Sequence, residues 1–127
     1  MVDRRREISR RLDAIEGVVR SESMFAEVDA WWVNGKEIAH FHSEDEIEIR
    51  VTKAVIRERR AELKADPRVV LRTGASDWLT VVAKTAADAE FIVELAERAA
   101  EAHRPPPGQT AKPPPTGGAL ARRKRFH

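Results

Sequence analysis

The dipeptide Asn34-Gly35 sits in the stretch "EVDAWWVNGKEIAHFHSEDEIEIRV" and constrains the fold more than any other feature of the chain. Asn-Gly between alternating apolar and polar residues signals a two-residue hairpin turn, because both turn residues must adopt positive φ. Such a turn sets Trp32 opposite Glu37, Ala30 opposite Ala39 and Val28 opposite Phe41, a largely apolar face predicted to lie beneath helices. The other face pairs Trp31 with Ile38, Asp29 with His40 and Glu27 with His42. A three-residue loop, Ser43-Glu44-Asp45, then sets Phe41 opposite Ile47, Ala39 opposite Ile49, His40 opposite Glu48 and His42 opposite Glu46. A slip of one residue would move every side chain to the opposite face, so the apolar pattern specifies this register strongly.

Around the hairpin the periodicities place further elements. Ile8, Leu12, Ile15 and Val19 share one helical face of "DRRREISRRLDAIEGVVR", with arginines over the rest. Residues 24–33, 37–42 and 46–51 read as strands, and Thr52 can cap a helix over "KAVIRERRAELKA" that stops at Asp66-Pro67. "RVVLR" and "DWLTVVAK" read as two more strands about a turn at Gly74. Thr85 and Asp88 are placed to cap a last helix, whose Ala89, Ile92, Ala96 and Ala99 form one stripe. The expected order is α-β-β-β-α-β-β-α: an α+β fold with an antiparallel five-stranded sheet and helices packed on one face.

Charge divides the chain unevenly. Six of the 23 basic residues and none of the 21 acids lie beyond His103, so residues 1–103 carry 17 positive against 21 negative charges, a net of −4. Six of the seven prolines fall in "RPPPGQTAKPPPTGG", where fixed φ and missing donors favour extended polyproline structure. We therefore expect one domain over residues 1–103, a disordered Pro/Gly-rich linker over 104–118 and a disordered basic tail over 119–127. No cysteine is present, which excludes disulfides and thiol chemistry. No apolar run reaches membrane-spanning length and the N-terminal segment lacks the apolar stretch of a signal peptide, so a cytoplasmic protein without membrane contact is expected.

Polar chemistry collects on the open sheet face. In the predicted register His40 lies between Asp29 and Glu48, and His42 between Glu27 and Glu46, at spacings that let imidazole and carboxylate hydrogen-bond. A His-x-His pair with adjacent carboxylates is a ligand pattern for a divalent metal such as zinc, with His40, His42, Glu27 and Glu46 as donors. The alternative is a half-wet sheet face whose His and Glu pairs offset charge. Nearby carboxylates are expected to raise both histidine pKa values. Trp31 and Ile38 add an apolar patch, so Trp31, Ile38, His40, His42, Asp29 and Glu48 form a candidate surface for a small ligand or protein partner. Trp32 and Trp78 read as core. Arg122, Arg123, Lys124 and Arg125 could make weak, salt-dependent contacts with nucleic acid or another acidic partner. The helix arginines interleave with acids and read as a solvated face. None of Ser9, Ser21, Ser23, Ser43 or Ser76 stands in a nucleophile-elbow context. Three functions follow from these features: a non-catalytic binding module on the open face, metal-dependent catalysis at His40 and His42, or association through the basic tail.

"VNGKEIAHFH", "IEIRVTKAVIRERRAEL", "SDWLTVVAKTAADAEFIVELAERA" and "DAIEGVV" resemble the luciferase-domain family of small bacterial and archaeal proteins, over roughly residues 12–103. Gly35 to His42 and Asp77-Trp78 carry most of the resemblance. Light emission is not expected, because no Gly-rich phosphate loop exists and the six glycines are scattered. A looser similarity links Trp32-Val33, Gly35-Lys36, Ile47 to Val51 and Trp78-Leu79-Thr80-Val81 to the YjbR-like proteins, which implies an α+β fold compared with double-wing DNA-binding domains. The His-x-His strand and the net −4 of the folded region depart from that pattern.

Overall fold

Helix α1 (Arg4–Asp13) begins where the Asp3 carboxylate accepts the Arg6 N–H at 3.1 Å, and it buries Ile8 and Leu12. The computed structural model describes residues 3–25 and 27–125. The predicted first helix was too long: Ala14 caps it, Gly17 turns the chain at φ +84°, and Val18–Glu22 forms strand β1. The β-branched pair Val18-Val19 suits a pleated strand better than a last helical turn. Among the described residues the sheet therefore has six strands, one more than expected.

The others are β2 (Asp29–Val33), β3 (Lys36–Ser43), β4 (Glu46–Arg50), β5 (Val69–Leu71) and β6 (Trp78–Val82), in the spatial order β1-β2-β3-β4-β6-β5 with every neighbour antiparallel. The α+β class is as expected. The predicted middle helix is two short ones, α2 (Lys53–Glu58) and α3 (Arg60–Ala65), divided at Arg59. Helix α4 (Ala86–His103) starts in the predicted capping box of Thr85 and Asp88. Helices α1 to α4 cover one face of the sheet. There Ile8, Leu12, Ile47, Ile49, Leu63, Leu79, Ile92 and Leu95 make a continuous core with side chains of β2 and β3.

The Asn34-Gly35 turn forms with φ +49° and +74°, as the hairpin requires, but the register beyond it changes. Val33 pairs with Lys36 and Trp32 with Glu37, as expected; then Trp31 pairs with Ala39 and Ala30 with His40. Ile38 is an extra residue, a β-bulge. This corrects the predicted face of Ala30, Trp31 and Trp32 in β2. Trp31 and Ile38, expected on the open face, lie in the core under the helices with Ala39 and Phe41, while Trp32 and Ala30 lie on the opposite face. Trp31 is held there by its indole N–H, which donates to Asp13 Oδ1 at 2.9 Å, and by edge contact with Phe41. The slip is favourable because it buries both Trp31 and Ile38 while keeping Ala39 and Phe41 inside.

A second bulge lies at the next turn. Phe41 pairs with Ile47 as predicted, but Ser43 pairs with Glu46, so the loop is Glu44-Asp45 and His42 has no strand partner.

The segment expected to be disordered packs on the domain. Arg104 donates to the Glu16 carbonyl, the Lys112 N–H donates to Asn34 Oδ1 at 2.9 Å, and residues Gly117–Arg125 form helix α5. Leu120 of α5 is buried against Ala30 and Trp32, the pair that the first bulge turned outward. Trp32, on the sheet face away from helices α1 to α4, supplies the apolar surface that the tail could not provide for itself. Among the described residues no helix is long and apolar enough to cross a membrane.

Candidate ligand-binding cleft

Glu37 organises the open face. Its carboxylate is 2 % exposed and accepts three hydrogen bonds: from the Ser23 hydroxyl at 2.6 Å, from the Met24 N–H at 2.6 Å and from His40 Nδ1 at 2.7 Å. A buried carboxylate requires such partners, and here they tie the β1–β2 connection to the sheet. The bound connection carries Phe25 over His40, with ring centroids 6.0 Å apart, and edge-on to Trp78 at 5.5 Å.

His40 is itself buried, and its second nitrogen, Nε2, lies 3.0 Å from Glu48 Oε1. A neutral imidazole donates from one nitrogen only, so carboxylates at both favour the imidazolium. Burial works against that charge, but hydrogen bonds to Glu37 and Glu48 outweigh it and hold the His40 pKa above its ordinary value. Glu48 also pairs with Arg72, and His42 Nδ1 approaches it at 3.5 Å. Burial would raise the Glu48 pKa; the contacts with Arg72 and His40 win and lower it.

Beside this ionic row, Arg50 at the end of β4 lays its guanidinium over the Trp78 ring, 4.9 Å from the centroid. Phe25 stands 6.0 Å from the same guanidinium. Among the described residues Arg50 forms no ion pair and its buried Nε has no hydrogen-bond partner. Burial lowers the Arg50 pKa, against the more distant charges of Asp77 and Glu37. Phe25, His40, His42, Glu48, Arg50, Arg72 and Trp78 line a cleft of about 450 Å³ on the half of the sheet that α5 leaves uncovered.

The structure brings together only part of the predicted site. His40 and Glu48 are opposed as expected, and His42 lines the same cleft. Asp29 does not face His40, because the bulge puts Ala30 there; Asp29 and Glu27 line a separate depression with Glu22 and Lys124. Glu46 pairs with Ser43 and not with His42. The proposed metal donors His40, His42, Glu27 and Glu46 therefore do not converge, and both nitrogens of His40 already face carboxylates. Among the described residues no group of three or more His, Asp or Glu side chains is arranged to hold a metal ion. Arg122, Arg123, Lys124 and Arg125 lie on exposed positions of α5; Arg123 donates to the Gly35 carbonyl at 3.3 Å and Lys124 pairs with Glu22 at 2.7 Å.

Glu37, Arg50, Arg72, Phe25 and Trp78 were not expected in the site. One signal for Glu37 was present: strict alternation places a carboxylate on the face beneath the helices, a conflict that an extra residue relieves.

A family described as Luciferase domain matches residues 35–99, just over half the chain and the part that carries β3, β4 and most of the cleft. This agrees with the family resemblance read from the sequence; the similarity to YjbR-like proteins is not supported by it. No curated protein and no solved structure matches the chain.

Proposed function

The chain belongs to the luciferase-domain family, and from that premise we propose that it is a non-catalytic small-ligand-binding module whose site is the open-face cleft. The observation that carries this reading is the clamping of His40 between Glu37 and Glu48 at the cleft floor. A general base needs a free nitrogen and a nucleophile needs a base in reach; here both imidazole nitrogens are engaged and serve to hold a rigid, charged floor. The cleft volume of about 450 Å³ falls in the usual range for small-molecule sites, and aromatic walls with a few fixed polar groups are the usual composition. His40, His42 and Glu48 keep their proposed role, joined by Arg50, Arg72, Trp78 and Phe25.

Residues 1–103 act as the domain, with 104–118 as a strap and the following basic segment docked outside the cleft.

An NMR fragment screen on the uniformly ¹⁵N-labelled full chain tests the proposal. Shifts confined to the amides of residues 40–50 and 72–78 and to the Trp78 indole are the expected result. Fragments that shift only residues outside the cleft, or none that shift the protein, overturn it.

A further inference from the structure

We infer that the cleft recognises a small aromatic carboxylate, with the acid group paired to Arg50 and the ring against Trp78 and Phe25. This deepens, and rests on, the reading of the cleft as a ligand site.

The charges around the cleft point to an anion. His40 is matched by Glu37, and Arg72 by Glu48. Arg50 is left over: among the described residues it is partly buried, has no ion pair, and has a buried Nε with no acceptor. The nearby Asp77 carboxylate is engaged at the start of α2, accepting the Lys53 N–H at 3.0 Å. A guanidinium removed from water leaves hydrogen-bonding capacity that a carboxylate satisfies through two parallel N–H···O bonds.

The walls specify the rest of the ligand. Trp78 supports the guanidinium on one side, and Phe25 meets Trp78 at 80°, so two aromatic surfaces stand beside the cation. A ring attached to the acid would replace water against both, and the volume of about 450 Å³ accepts a one- or two-ring acid. With His40 and Arg72 already matched by carboxylates, Arg50 alone among the described cleft residues offers uncompensated charge, which suits a monoanion rather than a phosphate ester.

Matched pairs of probes test this: benzoate against benzamide, and indole-3-acetate against indole-3-acetamide, with phenyl phosphate as the dianion. Titration is followed by amide shifts and Trp fluorescence on the full chain and on Arg50→Gln and Arg50→Lys. The carboxylates should bind at least about tenfold more tightly than their amides, the scale of a charge-assisted bond in a partly dry site. In Arg50→Gln that preference should fall to about twofold, and Arg50→Lys, which keeps the charge but not the planar fork, should lie between. If Arg50→Gln does not fold, Arg50→Lys and the loss of preference at high salt in the native chain carry the test. Equal binding of acid and amide, or a preference unchanged in either variant, overturns the inference and leaves the cleft as a ligand site. Tighter binding of phenyl phosphate than benzoate overturns the choice of a monoanion. If no probe binds but other fragments shift cleft residues, the inference falls alone; if no fragment shifts them, both readings fall.

Discussion

Nδ1 of His40 lies 2.7 Å from Oε2 of Glu37, three residues earlier in the same strand. In a regular strand residues three apart project to opposite faces, so this contact exists only because Ile38 is an extra residue between them. The bulge thus does two things at once: it puts Ile38 and Trp31 into the core, and it turns Glu37 toward His40.

Because Glu37 accepts from Ser23, Met24 and His40, its removal should loosen both the cleft floor and the wall that carries Phe25. Glu37→Ala removes one of the two carboxylates that hold His40 and the acceptor of the Met24 N–H and the Ser23 hydroxyl, and is expected to destabilise the domain by about 2–4 kcal/mol. Glu37→Gln, which keeps the shape and one acceptor oxygen, should lose less. Urea denaturation of the two variants checks the order, and an Ala variant as stable as the native chain would contradict the assigned role.

The raised pKa of His40 predicts a pH dependence of stability. Its contribution is fully present below the ordinary imidazole value of 6.5 and is lost as pH rises through the higher folded-state value. Glu48 acts in the opposite sense: its lowered pKa contributes stability above the ordinary value of 4.5 that disappears as pH falls through the folded-state value. The melting temperature should therefore decline on the alkaline side of 6.5, and His40→Gln should flatten that decline. A slope unaltered by the substitution would assign it to other groups.

Thr52 has φ +93° and ψ 153°, a region that β-branched residues avoid, at the junction between β4 and α2. Its hydroxyl accepts the Val55 N–H at 3.3 Å, a long cap bond, so little is lost with the side chain. Thr52→Gly should stabilise the domain by about 1 kcal/mol, the strain relieved less the few tenths that a glycine cap loses. Thermal unfolding measures this directly, and a lower melting temperature would show the conformation to be unstrained.

Helix α5 covers Trp32, whose buried indole N–H has no acceptor among the described residues, which weakens the docking. Deleting residues 104–127 should leave the six-stranded domain folded while exposing Trp32, seen as a red-shifted emission and greater quenching by acrylamide. Leu120→Ala should give the same optical change with residues 104–127 retained. An unchanged emission in both would mean that the tail does not cover this tryptophan in solution.

Short-range signals determined much of this protein without any knowledge of its tertiary structure. Asn34-Gly35 specified a hairpin because few other residues take two successive positive φ angles, and Thr85 with Asp88 specified a helix start because orphan N–H groups need those acceptors. Alternation over Phe41, Ile47 and Ile49 gave the pairing of His40 with Glu48. What alternation could not reveal was the extra residue at Ile38, because a bulge is decided by which register packs Trp31, Ile38, Ala39 and Phe41 together against helices far away in sequence. The partnership of Glu37 with His40 follows from that packing, and so does the outward Trp32 that gives α5 a place to dock. Arg50 and Trp78 meet because β4 pairs with β6 across the α2–β5 excursion, a long-range contact that neither segment encodes alone. The sequence determined the elements and most of the local pairing; only the global burial of apolar surface decided which polar residues would face one another.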